Sequence, residues 1–248
     1  MSAHKTISEP KKLEPSDSPW LTQGEAKRTA VKKMFDEIAP SYDRLNRLIT
    51  FHLDRSWRKK ALIWCGIKPS DRVLDLCCGT GDFLVEAQKL TNHKEHVGID
   101  FSLPMLEYAH SKNLPTLCLG DACQIPIQDS RFDLVSVGWG IRNVPDIDRA
   151  HQEIYRVLRK GGKFVSIDMA VPKIKLIRAI STVTCMKIIP KLGAWLSQAE
   201  AYKYLPESTQ RFWNRDQLVE SMSKAGFESV QYRDLFFGNI CVHWGVKK

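Results

Sequence analysis

The sequence predicts an α/β protein whose core is a doubly wound, mostly parallel sheet of seven strands. Three observations lead to this fold class. Short apolar segments alternate with amphipathic segments from position 72 onward, which is typical of parallel strands joined by helices. The first apolar segment ends in the turn Gly79-Thr80-Gly81. Acidic residues follow the next two apolar segments, at the strand ends where open α/β sheets bind ligands.

The chain of 248 residues is expected to form one domain with two helical additions. Residues 1–24 are polar and rich in Pro and Ser, which predicts a disordered tail; residues 25–248 form the domain. Residues 25–66 are helical and precede the sheet, either as a lid over the site or as helices packed on the sheet edge. Residues 172–205 form a helical insert with an apolar and a basic side, which either caps the sheet edge or meets a membrane.

The individual elements follow from apolar periodicity and from capping residues. Strands are expected at 73–76, 96–99, 116–119, 132–137 and 163–168, with a closing antiparallel pair at 231–235 and 240–246. Helices are expected at 82–90, 146–158 and 214–225, and another begins after Ser102. Ser102 and Asn214 are residue types that cap helix N-termini.

Composition narrows the class of protein. The seven cysteines are an odd number, without a pair of CxxC motifs, so we expect reduced thiols in a cytoplasmic protein and no metal site. No apolar run approaches the ~18 to 20 residues of a membrane span. The formal net charge of +9 is compatible with simple solubility, with an anionic membrane surface or with nucleic acid.

The candidate cofactor residues lie where successive strands end, and such ends meet in one crevice. They are Asp75, Gly79 and Gly81 at the first strand, Asp100 at the second, Asp121 and Ala122 at the third, and Gly138 at the fourth. Asp100 is placed to accept hydrogen bonds from both hydroxyls of a ribose. Asp121 is placed to accept one from an adenine amino group. Either acid could instead be a helix cap or turn residue.

The glycine turn favours S-adenosylmethionine (SAM) over a nicotinamide dinucleotide. The dinucleotide motif has a third glycine, but Leu84 stands at that position. Asp82 would also repel a pyrophosphate. SAM carries a sulfonium and an ammonium group, which negative charges on Asp75 and Asp82 would stabilise.

Three motifs resemble those of the ubiquinone/menaquinone biosynthesis C-methyltransferase family, within the class I SAM-dependent methyltransferases. They are Tyr42-Asp43-Arg44-Leu45-Asn46 with Trp57 downstream, Gly140-Ile141-Arg142-Asn143-Val144, and Arg156 to Gly162. The resemblance covers roughly Val31 to the C-terminus and implies a Rossmann-like fold. The sequence departs from the family at Asp54, where the family usually has His, and at Asp168-Met169-Ala170, where Glu-Phe-Ser is common.

The resemblance implies methyl transfer from SAM to a ring carbon of a polyprenylated hydroquinone. By position, Thr80, Asp100, Asp121 and Ala122 would bind SAM, and Gly138 would touch it. The acceptor pocket would include Tyr42, Asp43, Asn46, Trp139, Arg142 and Asn143. Demethylmenaquinol is the expected acceptor, with a ubiquinone-pathway benzoquinol or demethylphylloquinol as alternatives.

Methylation at a ring carbon is helped when a ring hydroxyl loses its proton. Arg142 keeps its charge at any ordinary pH, so it is expected to stabilise the quinolate or orient a water. Tyr42 and Asp43, each acting through a water, are the candidate bases. Arg142 could instead form a salt bridge under its loop.

Partners follow from the substrate. A lipid-tailed quinol implies peripheral contact with the inner face of an anionic membrane, and the sequence leaves a homodimer open. An RNA-modifying enzyme and a non-catalytic SAM-binding protein are the rivals. We expect no nucleic-acid partner, because no RNA-binding module is present.

Overall fold

The computed structural model describes residues 24–114, 116–184, 204 and 207–248. Within these ranges, seven strands form one sheet in the order β3-β2-β1-β4-β5-β7-β6. Strands β1 to β5 are parallel, and β7 runs antiparallel to β5 and β6. The strands are β1 Val73–Leu76, β2 Val97–Asp100, β3 Thr116–Leu119, β4 Phe132–Gly138, β5 Leu158–Met169, β6 Phe227–Leu235 and β7 Ile240–Lys247. This confirms the predicted fold class. The predicted disordered tail, apart from Gly24, and residues 185–203 and 205 of the insert lie outside the described residues.

The longer helices lie close to their predicted positions. They are α1 Gly24–Ile38, α2 Tyr42–Ile49, α3 Leu53–Trp64, α4 Asp82–Leu90, α5 Leu103–His110, α6 Ile147–Val157, α7 Lys175–Val183 and α8 Arg215–Lys224. Ser102 caps α5 by accepting a hydrogen bond from the Met105 N–H. Asn214 and Gln217 form a capping box at the start of α8, so both predicted caps are confirmed.

Two strands begin earlier than predicted. Strand β5 begins at Leu158, because Leu158 already pairs with Phe132 of β4. The residues between the predicted helix at 146–158 and the predicted strand at 163–168 are therefore part of β5, and the register with β4 shifts there. Strand β6 begins at Phe227, and its register with β7 shifts between Glu228 and Gln231. Strand β6 is at the edge of the sheet, where such irregularities are common.

The core has two layers, one on each face of the sheet. Val73, Leu134 and Val165 pack with residues of α3 and α4 on one face. Their sequence neighbours Leu74, Val135 and Phe164 pack with α6 and α8 on the other. This alternation follows from the two-residue period of strands. Because both faces of the sheet are covered, a site can form at the polar ends of the parallel strands.

No helix among the described residues is long and apolar enough to cross a bilayer.

Candidate active site

A narrow cleft lies where β1, β2, β3 and β4 end. Its lining includes Gly79, Asp100, Asp121, Ala122 and Gly138, with Phe101 and Met105 as apolar walls. Five of the predicted cofactor residues thus come together as the strand-end argument requires. Asp75, Thr80 and Gly81 were also predicted, but they are not among the lining residues.

The turn after β1 is held in its shape by tight packing. Gly81 has φ +81°, and a Cβ at this position would lie 2.1 Å from Leu114 Cδ1. A residue with a Cβ would be strained at this φ and would also clash with Leu114, so only glycine fits at this position. Cys77 has φ +54°, and its Cβ would lie 2.5 Å from a Cβ added at Gly140. The loops after β1 and β4 therefore approach each other closely beside the cleft.

Asp100 connects the ends of β1 and β2. Its Oδ2 accepts a hydrogen bond from the Gly79 N–H at 2.7 Å, and its Oδ1 accepts one from the Ser102 N–H at 2.9 Å. Burial raises the pKa of Asp100 to about 6, although these N–H groups favour the charged form. Asp100 is thus a turn residue that also lines the cleft, and its contact with a ribose stays a prediction.

The structure corrects the charge argument that was based on Asp75 and Asp82. Asp75 is buried, accepts a hydrogen bond from the Ser136 hydroxyl at 2.8 Å, and has its pKa raised to about 8 by burial. At neutral pH it is therefore mostly uncharged. Asp82 forms an ion pair with Lys112 at 2.7 Å and lies 3.8 Å from Arg58. Neither acid offers a free negative charge to a cationic ligand.

Asp43 does not line the acceptor pocket as predicted. One of its oxygens accepts a hydrogen bond from the Thr80 hydroxyl, and the other lies 2.7 Å from Lys112 Nζ. Asp43 thereby ties α2 to the turn after β1 and to the end of α5. This geometry does not support its predicted role as a base, because Asp43 is not among the lining residues of the large pocket. Thr80 likewise uses its hydroxyl to hold Asp43.

A second, larger pocket adjoins the cleft and has a cavity volume of about 550 Å³. Its walls are mainly apolar, and Phe35, Tyr42 and Trp139 line both spaces. Tyr42, Asn46, Trp139 and Arg142 line the large pocket as predicted, whereas Asn143 lines the cleft. Volumes of a few hundred Å³ and apolar walls with few polar groups are typical of small-molecule sites.

Arg142 is buried where the short helical turn Ile141–Asn143 meets β5. Its Nη1 donates to Asp168 Oδ1 and to the Trp139 carbonyl, each at 2.7 Å. Burial opposes the charged form, but the carboxylate of Asp168 outweighs it and raises the pKa of Arg142. Arg142 Nε is buried without a hydrogen-bond partner among the described residues. The predicted salt bridge exists, and Arg142 also lines the large pocket.

Two tyrosines and one amide complete the polar lining of the two spaces. Burial raises the pKa of Tyr42 above its ordinary value and that of Tyr204 to about 12. Both phenols therefore keep their protons at neutral pH, which is against Tyr42 as the base. The Asn143 amide donates to the Trp139 carbonyl at 3.1 Å and accepts a hydrogen bond from the Tyr204 hydroxyl.

Several lining residues were not predicted from the sequence. In α1, Arg28 and Phe35 line the cleft, and Arg28 forms an ion pair with Asp121 at 3.2 Å. The cleft is narrow, about 60 Å³ in volume, and these α1 side chains form part of its wall. The role of residues 25–66 as a lid stays a prediction.

In α3, Asp54 and Arg58 line the large pocket. The Arg58 guanidinium lies 4.6 Å from the ring centre of Trp139. The sequence signals that pointed to this part of the pocket are the motif residue Trp57, which also lines it, and the departure from the family at Asp54.

Comparison of the structure with solved structures places the fold among SAM-dependent methyltransferases. A SAM-dependent methyltransferase from Thermotoga maritima has a TM-score of 0.65 and 24% identity, covering 87% of this chain and 99% of that one. The strand-end cleft with Asp100, Gly79 and Gly138 is compatible with SAM, because a carboxylate and close backbone approach meet beside apolar walls.

Residues 22–247 match the model of the ubiE/COQ5 methyltransferase family, and the chain belongs to that family. It is 37% identical to a demethylmenaquinone methyltransferase of Lactiplantibacillus plantarum over 88% of this chain and 96% of the relative. It is also 37% identical to a ubiquinone/menaquinone biosynthesis C-methyltransferase of Geotalea daltonii, with the same coverage. The protein is a C-methyltransferase, and SAM is its methyl donor.

Proposed function

We propose that this protein methylates a ring carbon of a polyprenylated hydroquinone, with demethylmenaquinol as the acceptor and menaquinol as the product. The observation that supports this most is the large apolar pocket, which joins the cofactor cleft at Tyr42 and Trp139. A fused aromatic ring with an isoprenoid tail needs such a pocket. The names of the two relatives support the quinol class.

The chain contributes to the reaction by position and by charge. Asp100, Asp121 and the backbone near Gly79 would hold SAM, which supplies an electrophilic methyl group. Arg142, which lines the large pocket, would donate a hydrogen bond from its guanidinium to a ring oxygen as negative charge develops there. Such preorganised donors in a dry site are a main source of catalysis. Holding the two reactants in line contributes a further ~7 to 11 kcal/mol at most.

Incubation with labelled SAM tests this proposal directly. A short-chain demethylmenaquinol should acquire the label on the ring, and a matched benzoquinol should acquire less per unit time. Equal transfer to both would widen the acceptor class to that named for the Geotalea relative. If neither quinol is methylated under reducing conditions, the proposed function is wrong.

The mouth of the large pocket carries apolar residues that are exposed to solvent. Phe51 and Phe237 are 74% and 76% exposed, and Ile180 of α7 is 59% exposed. All three line the pocket. Lys173 and Lys175 are exposed at the start of α7. Apolar side chains beside lysines are typical of surfaces that bind anionic lipid. This surface would hold the pocket mouth against the bilayer in which the isoprenoid tail resides.

Flotation with vesicles containing anionic lipid should therefore recover the protein at low salt. Binding should weaken as salt rises, because surface charges are screened. The double variant Phe51→Ser/Phe237→Ser should reduce the bound fraction several-fold. Leu103→Ser/Leu119→Ser is the matched control, since these residues are 54% and 55% exposed and do not line either pocket. Wild-type protein that stays unbound at low salt would contradict membrane docking.

A further inference from the structure

The large pocket has a single carboxylate among its described lining residues, that of Asp54 in the first turn of α3. Asp54 is only 1% exposed. One oxygen accepts a hydrogen bond from Arg58 Nη1 at 2.6 Å, and the other accepts one from the Thr50 hydroxyl at 3.2 Å. A buried carboxylate with two side-chain donors has a fixed position.

The other candidate proton acceptors are not suited to act as the base. Burial keeps Tyr42 and Tyr204 protonated by raising the pKa of each phenol. Asp168 accepts hydrogen bonds from Arg142 and from the Met169 N–H, and it does not line the pocket. Asp43 does not line the large pocket. Asp54 is the remaining group that both lines the pocket and can take a proton.

The Asp54–Arg58 pair also lies near the cofactor cleft. The Arg58 guanidinium lies over Trp139, and Arg58 Nε is 3.9 Å from the position of a Cβ built on Gly138. Both Trp139 and Gly138 line the cofactor cleft. The pair therefore sits where the two spaces meet, which is where the reacting ring must lie.

We infer that Asp54 is the catalytic base that takes the proton from the ring hydroxyl of the acceptor. This inference rests on the proposed function. The O–H proton passes to the carboxylate, and its electron pair moves into the ring. The ring carbon then bonds to the methyl carbon while the carbon–sulfur bond breaks, with its electrons going to sulfur. The methylated carbon loses its own hydrogen as a proton to solvent, and Asp54 returns its proton to the ring oxygen.

The isosteric variant Asp54→Asn tests this role. It keeps an oxygen that can accept from Arg58 but cannot take a proton. We expect kcat to fall by about 100-fold or more, in the range known for general bases, with the affinity for SAM unchanged. The loss should shrink with acceptors whose ring hydroxyl is more acidic, because these need less help to ionise. If Asp54 had a purely structural role, kcat would fall by the same factor with every acceptor.

Glu153→Gln is the matched control. Glu153 is buried and pairs with Arg156 at 2.8 Å outside both pockets, so this variant loses a similar ion pair without touching the reaction. It should keep wild-type kcat while its thermal unfolding temperature falls. If Asp54→Asn does not fold, Asp54→Ala is the second variant, and added formate should restore part of its turnover by replacing the lost carboxylate.

The outcomes separate the two proposals. Wild-type protein that methylates no quinol would overturn the proposed function. The role of Asp54 would be overturned if the wild-type protein is active and a folded Asp54→Asn variant keeps its kcat. It would also be overturned if kcat of that variant falls by the same factor with every acceptor. A folded Asp54→Ala with near wild-type turnover and no response to formate would overturn it as well.

Discussion

Arg142→Lys is expected to lower kcat by about 10- to 100-fold while leaving the affinity for SAM unchanged. A lysine can still pair with Asp168, so the buried carboxylate keeps a cation beside it. It cannot also present the additional N–H groups that the guanidinium of Arg142, a lining residue of the large pocket, carries. Arg142→Ala should lose about 100- to 1,000-fold, which is typical for a donor that stabilises developing negative charge. Single-turnover rates with labelled SAM give both numbers.

Stability is the main control for this prediction. Arg142→Ala leaves Asp168 buried without a cation, which costs about 3 to 5 kcal/mol in similar cases. Arg142→Lys avoids most of this cost, so the two variants separate catalysis from folding. If Arg142→Lys keeps wild-type turnover, Arg142 is a structural residue whose role is to form the salt bridge with Asp168.

The sheet could be predicted because its signals are local. Strand β1 and helix α4 were placed at their observed residues, Val73–Leu76 and Asp82–Leu90, from apolar periodicity and one glycine turn. The strand-end rule then brought Asp100 and Asp121 together without any knowledge of side-chain contacts. Both steps depend on backbone geometry that every open parallel sheet shares.

Ion pairing in the site could not be predicted, because it joins elements that are distant in the chain. Lys112 follows α5, yet it pairs with both Asp43 and Asp82. No sequence pattern brings Lys112 near the glycine turn, so both acids looked free to meet a ligand. The negative charge predicted for Asp75 is wrong for a related reason, since the pKa of this carboxyl depends on how deeply β1 is buried.

The large pocket could be predicted only in part from the sequence, for the same reason. The motif residues Tyr42 and Arg142 could be assigned to it by resemblance. Asp54 could only be noted as a departure, because its meaning depends on where α3 packs against Trp139. The exposed apolar residues of α7 were anticipated from its two-sided pattern, but the pocket they surround requires the folded chain.

SAM affinity is expected to fall as the pH drops through about 6, because Asp100 becomes protonated there. Burial has raised the pKa of this carboxyl, so the charged form dominates above pH 6 and the neutral form below it. In its predicted role, the charged form would accept hydrogen bonds from the ribose hydroxyls of SAM more strongly than the neutral form. Affinity should therefore be constant at neutral and alkaline pH and lost progressively on acidification. Titration calorimetry with SAM between about pH 5 and about pH 8 measures this.

Asp100→Asn should weaken SAM binding about 10- to 100-fold at neutral pH, since hydrogen bonds to a charged group contribute about 1.5 to 3 kcal/mol. It should also remove the pH dependence, because the amide does not titrate in this range. Ser102→Ala is the matched control. It removes the α5 cap, which costs about 0.5 to 2 kcal/mol of stability, but leaves the carboxylate in place. A pH dependence that persists in Asp100→Asn would mean that another group controls binding, and Asp100 would then be a turn residue alone.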